Sequence, residues 1–238
     1  MSINLHALSV DAKDPAGLAR YWAGLLGWEQ AGATELLPDA KTPFRLRFLQ
    51  SDVERDRPCY IHFHLTSETP EHQQETVTRA VELGGRHIDI GQKPEEGHIV
   101  LADPEGYEFC VIEAGNKFLA DTAFFGEVAS DGTREVGLFW SAALDYPLVW
   151  DENGETAIQA PSGGPKIAWG GPPVDPKPAK NRMHLDLVVP AGGDVDAEVE
   201  RLIGLGATRL ESGQEGADAI PMADPDGNQF CILTTPRA

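Results

Sequence analysis

Apolar and polar residues alternate along residues 3–11, the period of a half-buried strand. Asp14 and Pro15 then offer a helix N-cap and a first-turn proline, and Leu18, Tyr21, Trp22, Leu25 and Leu26 recur at helical spacing before Gly27. Short strand-like runs follow, ending in FRLRFL at 44–49. The pattern restarts with a strand at 60–66 and a helix that opens at Thr69–Pro70, carries Val77, Ala80 and Val81, and closes at Gly84–Gly85. Strands near 97–101 and 108–113 complete it, joined by DPEG at 103–106 as a type I turn. The order is strand, helix, then about three strands, twice. Residues beyond 117 repeat the whole series, with helices predicted near 133–144 and 193–205.

The repetition is written in the residues. LADPEGYEFCVIE at 101–113 is answered by MADPDGNQFCILT at 222–234, so that Asp103 and Asp224 lie 121 positions apart. HFHLTS at 62–67 answers HLDLVV at 184–189, and GLARYWAGLLGW at 17–28 answers VGLFWSAALDYP at 136–147. A period of about half the 238-residue chain is too long for a solenoid unit and large enough for a core of its own, which implies two tandem domains.

Strand parity sorts the side chains. In 44–50, Phe44, Leu46 and Phe48 share one face and Arg45 and Arg47 the other; in 60–66, Ile61, Phe63 and Leu65 oppose His62 and His64; in 107–113, Phe109 and Val111 oppose Glu108 and Cys110. The apolar set should face helices. The polar set should line a concavity, because paired His and Cys are poor choices for a plain solvated surface. In the second half the same parity gives Lys166 and Ala168, His184 and Asp186, and Gln229 and Cys231.

Composition adds limits. The chain is 41% hydrophobic and 24% charged, a globular balance, with no apolar run long enough for a membrane span and no signal-peptide pattern at its start. A net charge of −19 argues against nucleic acid or an anionic membrane as partner, and a cytoplasmic location is expected. Cys59, Cys110 and Cys231 form neither a disulfide framework nor a CxxC pair. The glycine-rich run SGGPKIAWGGPP reads as turns. His72, His87 and His98 read as surface residues, and Trp22, Trp28, Trp140 and Trp150 as core packing at helix faces or ends.

LARYWAGLLGW after the first strand, the HFHLTS and HLDLVV strands, and DPEGYEFCVIE with DPDGNQFCIL together resemble the vicinal oxygen chelate superfamily, the glyoxalase, bleomycin-resistance and extradiol-dioxygenase group. The resemblance implies an α+β fold. Two tandem glyoxalase-like domains, 1–117 and 118–238, would each hold two βαβββ modules in a curled, mainly antiparallel, cup-shaped sheet with helices outside. Metal-dependent members hold a divalent ion with His and Glu on four strands of the cup. Carried onto this chain, those positions fall on His62 and His184, on Cys110 and Cys231, on Arg47 and Ala168, and on Leu5 (His6 being next to it, with opposite parity); the second half offers no His on its first strand, near 122–128. One ligand of four survives in each half, and a guanidinium repels a cation.

The expectation is therefore a small-molecule protein without metal or other cofactor, a sequestering protein or an acid–base lyase or isomerase. His62, His64 and Cys110 are the catalytic candidates; Arg45, Arg47, Glu108, Lys166, His184, Asp186, Gln229 and Cys231 are the ligand-binding ones. Arg45 and Arg47 facing His62 and His64 across one cup would favour an anionic ligand. The alternatives are a metal-dependent lyase or dioxygenase with an altered ligand set, for which His62, His64 and Cys110 offer zinc donors, and a non-catalytic assembly module. A homodimer is an allowed assembly.

Overall fold

The computed structural model describes residues 3–52, 60–93, 95–174, 181–211 and 218–234. Cys59 lies outside them. Four modules follow one another. The first holds β1 (Asn4–Ala12), α1 (Pro15–Leu26), β2 (Glu35–Leu36) and β3 (Arg45–Gln50). The second holds β4 (Ile61–Leu65), α2 (Pro70–Glu82), β5 (Arg86–His87), β6 (Ile99–Ala102) and β7 (Glu108–Val111). The third is β8 (Phe125–Ser130), α3 (Arg134–Leu144), β9 (Leu148–Glu152), β10 (Glu155–Gln159) and β11 (Lys166–Trp169). The fourth is β12 (Met183–Val188), α4 (Val195–Gly204), β13 (Thr208–Arg209), β14 (Ala219–Ala223) and β15 (Gln229–Leu233).

The helices start and stop where their sequence dictates. The Asp14 side chain accepts from Gly17 N–H ahead of Pro15, and Gly27 ends α1 at φ 72°, a left-handed position where a Cβ is costly. Thr69 caps α2 and Asp194 caps α4 in the same way. Each DPxG turn is closed by its own aspartate. Asp103 accepts from the N–H groups of Glu105 and Tyr107, both at 2.9 Å, and from Trp22 Nε1 at 3.1 Å. Asp224 accepts from Asp226 and Asn228 N–H at 3.0 and 2.9 Å, and from Trp140 Nε1 at 3.1 Å. The two halves thus repeat a buried indole–carboxylate link down to its atoms. Trp22 and Trp140 are core residues, as their places on helix faces predict, but each also satisfies a buried carboxyl group.

Strand alternation holds. Leu46, Phe63 and Phe109 are fully buried, while Arg45, Arg47, His62 and His64 are half-buried on the opposite faces. The buried sets of both sheets, with Trp22, Phe44 and Phe125 among them, merge into one continuous core under the helices. Among the described residues no helix is long and apolar enough to cross a membrane.

The pairing of modules departs from the expectation of one cup per half. The seven-stranded sheet runs β13-β14-β15-β12-β1-β3-β2 and joins the first module to the fourth; the eight-stranded sheet runs β5-β6-β7-β4-β8-β11-β10-β9 and joins the second to the third. The seams are antiparallel, β1 on β12 and β4 on β8. Arg47 therefore does not share a concavity with His62, His64 and Cys110. The four repeats carry equivalent edges, and parity within a strand says nothing about which repeat lies beside it.

A bulge in β1 supplies a second departure. The register with β12 slips between Leu5 and Ala7, which leaves His6 as the extra residue. Leu5 pairs with Leu187 and is buried in the core, so strict alternation is interrupted there.

Candidate functional site

In the seven-stranded sheet the polar face closes on itself. Arg47 donates to Asp186 Oδ2 at 2.9 Å, the Ser9 hydroxyl donates to the same oxygen at 2.5 Å, and His184 Nε2 lies 3.3 Å from Asp186 Oδ1. Asp186 is 2% exposed. Burial disfavours its charge, but the bonds from His184 and Ser9 and the nearby Arg47 outweigh that and hold its carboxyl below the ordinary range. Arg45 pairs with Glu35 at 2.8 Å. Burial, with the charges of Arg45 and Arg47, lowers the pKa of His6. Cys231 is buried beside His184 and Asp186, and Gln229 is half-buried at the start of β15. Both arginines thus already have carboxylate partners.

The eight-stranded sheet is different at the equivalent places. Where the seven-stranded sheet sets Ser9 beside Arg47, this one sets Ala129 beside Ala168. Two methyl groups replace a hydroxyl and a guanidinium, and a cavity of about 610 Å³ opens over them. His62, His64 and Glu127 stand on its wall, with Ala129 and Ala168. Phe118 and Trp150 meet edge to face at 5.5 Å on the same lining. Glu96, His98, Glu113 and Glu155 also line it.

Two imidazoles at the base are driven apart electrostatically. Their ring centroids are 4.8 Å apart. Desolvation alone would lower the pKa of His64, but hydrogen bonds to Cys110 and Glu127 prevail and raise it to about 9; the Glu127 carboxylate lies 2.5 Å from Nδ1. His62 is lowered to about 3, by burial first and then by the charge of its neighbour His64. At neutral pH the pair is one imidazolium locked to a carboxylate and one neutral ring. No side chain among the described residues hydrogen-bonds to His62.

The other candidates divide. Cys110 is 6% exposed, lies within 4.8 Å of His62 and His64, and packs in one buried cluster with Ile112 and Leu119 of the wall. Lys166 is tied to Phe118: its ammonium sits over the ring at 4.5 Å and donates to the carbonyl, and burial lowers its pKa. Glu108 is half-buried at the start of β7. Trp150 belongs to a strand and to the cavity wall, not to a helix end. His98 lies on the same wall, whereas His72 stacks on Phe124 at 5.7 Å and His87 is exposed. Glu127, Phe118, Glu113 and Glu155 were not marked by motif. Glu127 alternates with Val128 along β8, a signal that gains meaning only once β8 is known to lie beside β4.

The comparisons with known proteins bear on this architecture. A family model described as a glyoxalase-like domain matches residues 7–112 and again 127–233. The chain belongs to the glyoxalase-like domain family. Among solved structures, glyoxalase I from Zea mays superposes with a TM-score of 0.61 at 14% identity, over 98% of this chain and 92% of that one. A putative dioxygenase from Bacillus subtilis subsp. subtilis str. 168 gives 0.56 at 13% identity, over 100% and 86%. At such identities the likeness is one of fold. No curated protein matches the sequence.

The metal-binding members of the group provide a fit test, and the residues here do not meet it. The eight-stranded sheet keeps His62, but Cys110 and Ala168 stand at two of the other ligand positions, and Ala168 has no donor atom. The seven-stranded sheet keeps His184 with Arg47 opposite, its guanidinium on the nearest carboxylate. His62, His64 and Cys110 do cluster within 4.8 Å, yet Nδ1 of His64 is committed to Glu127. Elemental analysis of protein purified without chelator should therefore find well below one equivalent of zinc, nickel, iron or manganese. Near-stoichiometric metal that disappears in His62→Ala would overturn this.

Proposed function

We propose that the protein binds a small organic molecule in the cavity of the eight-stranded sheet, without a metal, and that it holds or sequesters that molecule. The observation carrying this reading is the opening of about 610 Å³ over Ala129 and Ala168, on the face where His62 and His64 stand. That volume is within the range of small-molecule sites, roughly 300–1,000 Å³. Its walls combine aromatic rings with a few convergent polar groups, as such sites do.

Binding is better supported than proton transfer. An efficient general base has a pKa near the working pH. His62, lowered to about 3, holds a proton too weakly, and His64, raised to about 9, is already protonated and tied to Glu127. A neutral His62 is instead a fixed hydrogen-bond acceptor or donor for a ligand.

A thermal-shift screen of small organic compounds tests the reading. A compound present at 100 times its dissociation constant should stabilise the wild-type protein by about 2.7 kcal/mol. In Ala168→Phe the ring should project from the floor and obstruct the cavity, and the shift should be lost or sharply reduced while the far-ultraviolet circular dichroism stays native. Compounds that stabilise both proteins equally would place binding elsewhere and sink the proposal.

A further inference from the structure

Four carboxylates and no Lys or Arg stand on the cavity lining among the described residues. Glu96 and Glu155 are exposed at the mouth, Glu113 is half-buried, and Glu127 is 4% exposed at the base. Glu127 is neutralised by His64, and among the described residues Glu113 accepts only from the neutral Asn116 amide, at 2.8 Å. Lys166, on β11, is not on the lining; its ammonium is held against Phe118, by the ring and by the carbonyl. Beside these charges stands the Trp150 indole, edge to face with Phe118.

We propose that the ligand of this cavity is an organic cation with a flat aromatic body, its charged nitrogen held by Glu113 and Glu155 and its ring against Trp150. The proposal rests on the reading of the cavity as a binding site and adds the chemical class of its occupant. An anion is disfavoured twice. It would have to pass the carboxylates at the mouth of a protein carrying −19, and it would find no guanidinium inside, since Arg45 and Arg47 line the other sheet with partners of their own. A neutral molecule would fit the aromatic walls but leave the carboxylates unanswered. A protonated amine answers them and can also donate to the neutral ring of His62. Across water, one carboxylate about 4 Å from a ligand charge changes affinity by about fivefold. Two give a preference of roughly tenfold or more, and stacking of a cation on an indole acts in the same direction.

The test uses the full chain and three probes of matched shape: proflavine as the cation, anthracene as the neutral ring and anthracene-9-carboxylate as the anion. Binding is read by fluorescence titration at low and at 0.15 M salt. Proflavine should bind at least tenfold more tightly than the carboxylate, should weaken roughly tenfold in Glu113→Gln/Glu155→Gln, and should be lost in Ala168→Phe. If the carboxylate or anthracene binds as tightly as proflavine and is lost in Ala168→Phe, the cavity is a site and the cation assignment alone fails. Proflavine binding that survives Ala168→Phe is attraction to the acidic surface and overturns the assignment. If none of the three binds in a manner blocked by Ala168→Phe, the assignment fails together with the cavity reading for this class of ligand.

Discussion

Replacing Arg47 with alanine should destabilise the protein by about 3 kcal/mol, the lower end of what breaking a buried ion pair costs. The substitution leaves Asp186, 3% exposed in its side chain, without the guanidinium now 2.9 Å away. Ser9 and His184 remain, which keeps the loss from being larger. For a chain of this size the melting temperature should fall by roughly 6–12 °C. Removing both charges in Arg47→Leu/Asp186→Leu should recover much of the loss, because no charge is then left buried alone. An Arg47→Ala protein that melts with the wild type would mean that this pair contributes nothing. The same variant should leave ligand binding in the other sheet unchanged.

The second large effect is on the pH dependence of stability. His64 is raised to about 9 in the folded state from roughly 6.5 unfolded, so the fold holds a proton that the unfolded chain releases between those values. Its contribution is complete below about pH 6.5 and is lost as pH rises through 9. His62 works in the opposite sense. Lowered to about 3, it refuses a proton that the unfolded chain accepts, so stability falls as pH drops below 6.5. Together the pair should give a stability maximum near neutrality. The alkaline loss should be on the order of 3 kcal/mol by denaturant titration from pH 6.5 to 9.5. In His64→Gln or Glu127→Gln that limb should flatten. An alkaline limb that persists in both variants would assign it to other groups.

Much of the fold was legible because its signals are local. Asp14–Pro15 and Thr69–Pro70 announce α1 and α2, and the DPxG turns mark the last hairpin of each half. Alternation in β3 and β4 separates Leu46 and Phe63 from Arg47 and His62. What was not legible is the partnership of repeats. The first module could dock on the second or on the fourth with the same parity, since both seams are built from interchangeable apolar strands. That choice decided the candidate site. It moved Arg45 and Arg47 away from His62 and His64, and it brought in Glu127, which no motif had marked. The bulge at His6 carries no Gly or Pro to announce it. Trp150 was read as core packing at a helix end, because β9, an edge strand, has little apolar periodicity to mark it as a strand.

The exchange of modules between halves also sets an order of events during synthesis. The eight-stranded sheet closes where β4 meets β8, with His64 and Glu127 only 63 residues apart. The seven-stranded sheet cannot close until β12 reaches β1, and Ser9 and Asp186 are 177 residues apart. At about 5–20 residues per second, β1 leaves the ribosome roughly 10–35 s before its partner exists. Throughout that interval the inner edge of the first module is an unpaired strand, the kind of surface that seeks any available neighbour. The cavity-bearing sheet can therefore be assembled first, and the first module is captured only when nearly the whole chain has been made.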